Sequence, residues 1–448
     1  MSAELFGLVL SPELLGFGSL ALVLLLIAVR MPIGVALGVV SFLGFTLVRN
    51  EQVALAMMAQ TPYELAANWG LSAIPMFILM GAIAHNTGIS ESLFRAARLW
   101  LSSLPGGLAV ATNFASAGFA AASGSSVATA ATMGRLAIPT MLKAGYAPTL
   151  ATGVVASSGT LGALIPPSIM FVVYGVFAEV SITKLLIAGV VPGILTAFVY
   201  AAMIMGRCWL NPAIAPPSQS HRPRAEVWRE RWQSLLPVWP LLLLIFGIIG
   251  GLYGGIFTPT EAGAAGAFLS FCVAALQGRL TRRVVSTSVM EAIRTTAQLF
   301  FVAYGAVMYT RFLALVGLPG IMAEMMGSWA VDPVLMLVAV SIIYLILGMF
   351  LDPLGVLLLT LPVVQPMFEA LGLDPIWLGV IVVKYIEIGL LTPPVGFNAY
   401  VVKNVVGDSI PLETIFKGIA WFLLCELVIM VLILSFPQLS LWLPATMR

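Results

Sequence analysis

Two short stretches carry residue types suited to binding a small ion or an anion, and both lie inside long apolar segments. Residues Ser157–Ser168 read SSGTLGALIPPS, and residues Glu387–Asn398 read EIGLLTPPVGFN. Each contains Gly and a Pro-Pro pair, which removes two backbone donors and clashes with the preceding turn, so a continuous helix cannot pass through. Backbone groups freed in lipid need partners, so such breaks belong in a protein interior or beside a wet cavity. The matched breaks therefore predict a binding site where two broken helices meet.

The composition places these breaks in a polytopic membrane protein surrounded by a lipid bilayer. The chain has 448 residues, of which 60% are hydrophobic and 9% are charged, far from the balance of a soluble domain. Three cysteines at scattered positions are too few for a metal cluster or a disulfide framework. The sequence has no GK[ST] phosphate-binding loop and no catalytic dyad within the spans, and it shows no sign of nucleic-acid binding. It therefore predicts neither an enzyme nor an organic cofactor.

Hydropathy along the chain predicts the elements that position the breaks. We expect an all-α fold in which residues 146–178 and 375–403 form broken spans. Residues 115–143 and 333–370 are interrupted by small or polar residues at Ser123–Ser126 and Leu351–Gly355, which favours re-entrant hairpins. The basic, Pro-rich stretch 207–232 is expected to be a cytoplasmic linker. Four mixed segments are expected to lie along the membrane surface: Asn50–Gly70, Ser90–Leu104, Arg279–Arg294 and Val316–Asp332.

The chain also shows an internal repeat with an offset of 227 residues. This offset takes Pro139 to Pro366 and the pair Pro166-Pro167 to Pro393-Pro394. It predicts two repeats, residues 1–206 and 233–448. Each repeat is expected to have five spans, one of them broken, and one hairpin that returns to its own side, so the odd count inverts the second repeat relative to the first. Placing both termini outside puts most Lys and Arg residues inside, as the positive-inside rule requires.

The polar residues at the tips and breaks suit two kinds of ligand. Helix ends with free N–H groups suit a carboxylate, and hydroxyl and carbonyl oxygens suit a sodium ion. The alternative is that Ser, Thr and Gly merely allow close helix packing. Lys384 and Glu387, one turn apart in the second broken span, predict either a mutual ion pair or a proton relay. Arg135 is expected to extend toward the cytoplasmic surface, Glu261 to cap a helix and His85 to lie at the interface.

At these residues the chain resembles a known family. The runs SGSSVATAATMGRLAIPTM, SSGTLGALIPPSIM, FTPTEAGA and EIGLLTPPVGFNAYVV are similar to the large membrane subunit of tripartite ATP-independent periplasmic (TRAP) transporters. The resemblance covers nearly the whole chain. It implies a sodium-driven, elevator-type symporter in the bacterial inner membrane, with periplasmic termini. Its substrate would be an organic acid, such as a C4-dicarboxylate or sialic acid.

The resemblance also implies partners and sites. The partners would be a small four-helix membrane subunit, expected as a separate chain, and a periplasmic substrate-binding protein. One sodium site is expected between the first tip and Ser158–Gly162, and the other between the second tip and Gly389–Gly396. The sodium-binding residues predicted are Ser123, Gly124, Ser125, Ser126, Ser158, Gly159, Thr160, Gly162, Asp352, Gly389, Thr392, Pro393 and Gly396. The substrate-binding residues predicted are Ser125, Ser157, Pro166, Asp352, Pro394 and Asn398.

Two other functions remain open from the sequence. A stand-alone sodium- or proton-coupled carboxylate carrier could use similar hairpins without partners. A channel can also have hairpins that enter from opposite sides, although its path should be an open, water-lined pore.

Overall fold

The fold is helical and rich in segments able to cross a bilayer, which confirms the predicted class. The computed structural model describes residues 3–5, 8–216, 224–328 and 332–447. Among these residues, eight helices are long and apolar enough to span a membrane, or nine if the pair bent by 42° around the first break is one span. One element was not predicted: two short strands, β1 (Ala3–Leu5) and β2 (Leu8–Leu10), pair in an antiparallel hairpin.

The helices follow one another through short connections. Those before residue 217 are α1 (Pro12–Ala28), α2 (Ile33–Val48), α3 (Glu51–Ala66), α4 (Ala73–Asn86), α5 (Ile89–Leu101), α6 (Gly107–Ser123), α7 (Ser126–Lys143), α8 (Pro148–Gly159), α9 (Leu161–Leu164), α10 (Ile169–Phe177), α11 (Ile182–Ala188) and α12 (Val190–Leu210). Those after residue 223 are α13 (Arg224–Leu235), α14 (Trp239–Tyr253), α15 (Pro259–Leu276), α16 (Arg282–Val316), α17 (Leu318–Ser328), α18 (Pro333–Phe350), α19 (Pro353–Ala370), α20 (Pro375–Gly389), α21 (Phe397–Val406), α22 (Leu412–Ser435) and α23 (Gln438–Ala445).

Helix ends around the two hairpins coincide at the repeat offset of 227 residues. Helices α6 and α18 end at Ser123 and Phe350, and the next helices, α7 and α19, begin at Ser126 and Pro353. Helices α8 and α20 both begin with a proline, where a missing N–H costs nothing. The Gly residues just before α8 and α20 both have positive φ, and both Pro-Pro bonds are cis. The local sequence therefore sets the same pattern of starts and stops twice.

Three predicted boundaries are wrong. The first hairpin begins at Gly107 rather than at residue 115, because α6 starts directly after a left-handed turn at Gly106. From Arg282 onward, the expected interfacial segment Arg279–Arg294 and the span after it form the single helix α16 of 35 residues, since no Gly or Pro lies between Arg282 and Tyr304. The stretch 207–232 is partly helical: α12 continues to Leu210, and α13 begins at Arg224.

Helix α13 is held on α5, one of the amphipathic helices, by aromatic contacts. The Trp100 ring meets the rings of Trp228 and Trp232 edge to face, at centroid distances of 6.0 and 5.5 Å. Trp100 Nε1 also donates to the Arg231 carbonyl oxygen at 3.2 Å. The basic stretch between the halves is therefore attached to the first half by α13.

The interior of the fold is built around the two broken helices. Every residue of α20 from Trp377 to Gly389 is buried, as is every residue of α8 from Leu150 onward. Helix α22 packs on α8 so closely that a Cβ at Gly153 would lie 2.6 Å from the backbone of Gly418. Large apolar side chains elsewhere face outward, among them Phe246 at 71% exposure, as expected for a surface in contact with lipid. The outer helices thus shield a polar centre from lipid.

Candidate functional site

The two hairpin tips meet at one cavity of about 570 Å³. Its wall combines the first tip, Ser123–Ala128, with the second tip, Asp352–Leu354. Glu387 of α20 and Phe397 of α21 contribute from the second break, and α4 and α16 close the other side. The cavity therefore lies between the hairpins and a pair of unbroken helices.

The first tip is a tight turn that ends in a helix N-terminus. Gly124 takes φ +61°, a conformation that favours glycine. Ser125 caps α7, since its Oγ accepts a hydrogen bond from the Ala128 N–H at 3.4 Å. The Ser123 and Thr129 hydroxyls are 2.8 Å apart. The tip thus gathers several hydroxyl oxygens within one turn, at the positive end of an 18-residue helix.

Glycines of the first broken helix allow this tip to approach. A Cβ at Gly162 would come within 2.5 Å of the Ser125 carbonyl oxygen, and one at Gly159 would come within 3.1 Å of the Ser126 carbonyl oxygen. Nearby hydroxyls bond to protein groups: Ser158 Oγ lies 2.9 Å from Ser116 Oγ, and Thr160 Oγ1 donates to the Ser157 carbonyl at 2.7 Å. The segment predicted to share a sodium site with the tip is therefore in contact with it.

The second tip resembles the first but carries a carboxylate. Asp352 caps α19, since its Oδ2 accepts from the Gly355 N–H at 3.1 Å. Its hairpin packs on the second break through glycines, because a Cβ at Gly389 would lie 2.6 Å from Gly348 Cα. Thr392 Oγ1 donates to the Ile388 carbonyl at 2.7 Å. Beyond the break, Gly396 takes φ +58° just before α21 begins.

The two broken helices are joined directly by Asn398. Its Nδ2 donates to the Ala156 carbonyl oxygen at 3.3 Å, and its backbone N–H donates to the Leu390 carbonyl at 3.1 Å. Asn398 Oδ1 and Ser157 Oγ are both buried with no hydrogen-bond partner in the described part of the chain. This junction therefore keeps two free polar oxygens where the halves meet.

The predicted ion pair between Lys384 and Glu387 is wrong. Lys384 Nζ instead lies 2.6 Å from Oε2 of Glu426, and it donates to Thr196 Oγ1 at 3.1 Å. The Tyr200 hydroxyl donates to the same carboxylate. Lys384 and Glu426 are 0% and 1% exposed. Four groups on α12, α20 and α22 thus form one buried polar cluster, which we call the Lys384 cluster.

Glu387 lies at the cavity instead. Its Oε1 accepts a hydrogen bond from Ser126 Oγ at 2.7 Å, which joins the second broken helix to the first tip. His85, expected at the interface, also lines the cavity, because the last turn of α4 faces α7. The His85 Nδ1 atom lies 3.0 Å from Thr132 Oγ1. Arg135 is exposed and does not line the cavity. Glu261 forms the predicted cap, a capping box with Thr258.

The cavity therefore collects only part of the predicted site. Ser123, Gly124, Ser125, Ser126 and Asp352 line it. The other predicted residues lie in the two breaks and do not line it: Ser157, Ser158, Gly159, Thr160, Gly162, Pro166, Gly389, Thr392, Pro393, Pro394, Gly396 and Asn398.

Sequence reasoning missed Glu387 as a cavity residue, and it missed Glu426 and Tyr200 altogether. One signal for Glu426 was present. It is the sole charged residue between Lys417 and the final Arg448, inside an apolar run. An isolated carboxylate in such a run needs a buried partner.

Comparison with known proteins gives consistent matches over most of the chain. The family profile described as "Tripartite ATP-independent periplasmic transporter, DctM component" matches residues 20–439. The C4-dicarboxylate TRAP transporter large permease protein DctM of Pseudomonas aeruginosa is 37% identical over 85% of this chain and 88% of its own length. The sialic acid TRAP transporter large permease protein SiaM of Vibrio cholerae is 33% identical over 92% of this chain and 95% of its own length.

A solved structure shares the fold. The crystal structure of the YdaH transporter of Alcanivorax borkumensis, described as having an unusual topology, superposes with a TM-score of 0.59. The match covers 89% of each chain at 14% identity.

Proposed function

Because this chain belongs to the DctM component family of tripartite ATP-independent periplasmic transporters, we propose that it carries an organic acid across the bacterial inner membrane, driven by sodium ions. Matched relatives are named as permeases for C4-dicarboxylate and for sialic acid, which are both carboxylates. The proposal includes an elevator mechanism, a separate small membrane subunit and a periplasmic substrate-binding protein. The observation that carries it is the cavity at which both hairpin tips meet.

The charges of the cavity favour the joint binding of an anion and a cation. Helices α7 and α19 direct their N-termini at it, and the positive ends of two 18-residue helices attract a carboxylate. The described lining contains Asp352 and Glu387 but no Lys or Arg. An anion alone would be repelled by these carboxylates, whereas a bound cation would offset the repulsion. This favours coupling of the substrate to a cation, and the cation that we propose is sodium.

Hairpins and broken helices form the mobile block of the proposed mechanism. The unbroken helices α4 and α16, with the surface segments Asn50–Gly70, Ser90–Leu104 and Val316–Asp332, belong to the scaffold. The hydrogen bond between His85 and Thr132 crosses this boundary. Matching helix ends at the 227-residue offset support two repeats, residues 1–206 and 233–448. The odd number of spans in each repeat and the positive-inside rule favour an inverted second repeat and periplasmic termini. Movement of the block would then carry the cavity across the membrane.

Reconstituted uptake tests the whole proposal. Proteoliposomes containing this chain and its candidate small subunit are supplied with a labelled organic acid, with and without an inward sodium gradient and the periplasmic protein. We expect uptake only when both are present. Uptake by this chain alone would favour a stand-alone carrier, and flux that depends on no gradient would favour a channel.

Two substitutions test the tip assignment. Asp352→Asn and Ser125→Ala each remove a tip oxygen ligand or its charge, so both should weaken sodium-dependent uptake. Asp408→Asn is a matched control, since the Asp408 side chain is fully exposed at the cytoplasmic end proposed for α21. Full uptake by both tip variants would rule out the tips as the site.

A further inference from the structure

Glu387 is a buried carboxylate, and one of its two oxygens has no hydrogen-bond partner in the described part of the chain. The residue is 1% exposed, and it lies in α20 two residues before the break. Oε1 accepts the hydrogen bond from Ser126 Oγ at 2.7 Å. Oε2 is buried and has no hydrogen-bond partner among the described residues, although the side chain lines the cavity. A buried carboxylate with an empty coordination position is costly unless another group occupies that position.

Within the described ranges, no Lys or Arg is paired with this carboxylate. Lys384, one turn earlier on the same helix, has its ammonium bonded to Glu426 and Thr196. The lining of the cavity offers His85 and the second carboxylate, Asp352, but no Lys or Arg in the described chain. Apart from Glu426, the charged residues of the other helices packed on α20 are exposed at helix ends: Lys184, Glu369, Glu413 and Lys417. The counter-charge for an ionised Glu387 therefore has to enter the cavity, either as a cation or as a proton.

The groups around Glu387 suit a small hard cation. The first tip supplies the Ser126 hydroxyl, which is bonded to Glu387, and Ser123 and Ser125 line the same cavity. Carboxylate, hydroxyl and carbonyl oxygens are the ligands that such cations take in proteins. At the repeat offset, Glu387 corresponds to Thr160, whose hydroxyl is bonded to the Ser157 carbonyl. Only the second half therefore places a charged oxygen ligand at this position.

We propose that Glu387 is the charged ligand of a monovalent-cation site shared by the first tip and the second broken helix. This inference rests on the proposed sodium coupling and deepens it. Cation binding at Glu387 joins residues from opposite halves, so it strengthens the contact that the first tip already makes with α20 through Ser126. The same cation supplies positive charge for the carboxylate of the substrate. Glu387 is thereby a ligand in addition to the sodium-binding residues expected from the sequence.

Direct binding measurements test this site without relying on transport. The full chain with its candidate small subunit is purified in lipid nanodiscs, and binding of radioactive sodium is measured at fixed pH and ionic strength. Sodium-dependent thermal stabilisation, with choline as the replacement cation, gives a second readout through linkage. Glu387→Gln keeps the shape and removes the charge, so the half-saturating sodium concentration should rise about tenfold or more. Lithium and potassium in place of sodium identify the preferred cation.

Matched variants keep the test decisive. Glu413→Gln changes an exposed Glu that pairs only with Lys417 at 2.8 Å, and it should leave sodium binding unchanged. Glu387→Asp and Ser126→Ala retain the charge and should raise the half-saturating concentration less than Glu387→Gln does. If Glu387→Gln does not fold, these two variants decide, and wild-type binding in both overturns the inference.

The outcomes separate this inference from the proposed function. A sodium response that persists unchanged in Glu387→Gln overturns the Glu387 site and leaves sodium coupling intact. A wild-type chain that shows no response to any of the three cations overturns both.

Discussion

The Lys384 cluster gives the most quantitative prediction. Replacing Lys384 with Met keeps most of the side-chain volume but removes the ammonium group. Glu426 then stays buried without its counter-ion, although the Tyr200 hydroxyl still donates to it. Both charged partners are almost completely buried, and Nζ lies 2.6 and 2.8 Å from the two carboxylate oxygens.

The size of the expected stability loss follows from the unpaired Glu426 carboxylate that remains buried. Removing one partner of a buried pair costs about 3–5 kcal/mol, because the remaining charge has lost its compensation. Replacing both partners with apolar groups of similar volume is often neutral, since the desolvation of both ions is avoided. Lys384→Met should therefore lower the free energy of unfolding by about 3–5 kcal/mol. The double variant Lys384→Met/Glu426→Leu should recover most of that loss.

Equilibrium unfolding in mixed micelles, with SDS as the denaturant, measures these energies as a double-mutant cycle. The surface pair Glu413–Lys417, whose side chains are 77% and 67% exposed, is the control. Lys417→Met should change stability little, because exposed pairs are screened by water. A Lys384→Met loss no larger than that of the control, or a double variant worse than both single variants, would refute the reasoning.

Three further predictions concern contacts around the cavity. Gly389→Ala should cost about 1–3 kcal/mol of stability and reduce uptake, because the second hairpin would have to move away from the new methyl group. The control Gly206→Ala, with no atom within 4 Å of its new Cβ, should be neutral in the same assays. Asn398→Ala removes the hydrogen bond between the broken helices and should cost about 0.5–1.5 kcal/mol in unfolding. The pair His85→Cys/Thr132→Cys, joined by a short thiol-to-thiol cross-linker that reductant cleaves, should stop uptake until reductant is added, whereas a cross-link that leaves uptake unchanged would argue against movement at this contact.

Local sequence signals predicted much of the fold because Gly and Pro act on the backbone directly. The bounds of the second hairpin, residues 333–370, agree with the expected range to the residue. Both breaks lie at their Pro-Pro pairs, and the first hairpin turns at Gly124 as expected. The sequence runs at the tips and breaks also led to the correct family. These features depend on residues close together in the chain.

What could not be predicted depends on which side chains meet across long separations. The spacing of Lys384 and Glu387 favours a mutual pair, but the helix rotates them into different surroundings, one toward α22 and the other toward the first tip. Glu426 is 42 residues from Lys384, and no local pattern connects the two. Similarly, Arg279–Arg294 is amphipathic and resembles a separate surface helix, although nothing at its end breaks the backbone before the span begins.

The continuity of α16 has a mechanical consequence. Its 35 residues extend about 52 Å at a rise of 1.5 Å per residue, whereas the hydrocarbon core of a bilayer is about 30 Å thick. Thr295 and Gln298 of this helix form part of the cavity wall. A single rod of this length has no joint between its end beyond the bilayer and that wall. A force that tilts the Arg282 end of α16 therefore also moves Thr295 and Gln298. A protein or lipid bound at Arg282 could in this way change the width of the cavity without touching it.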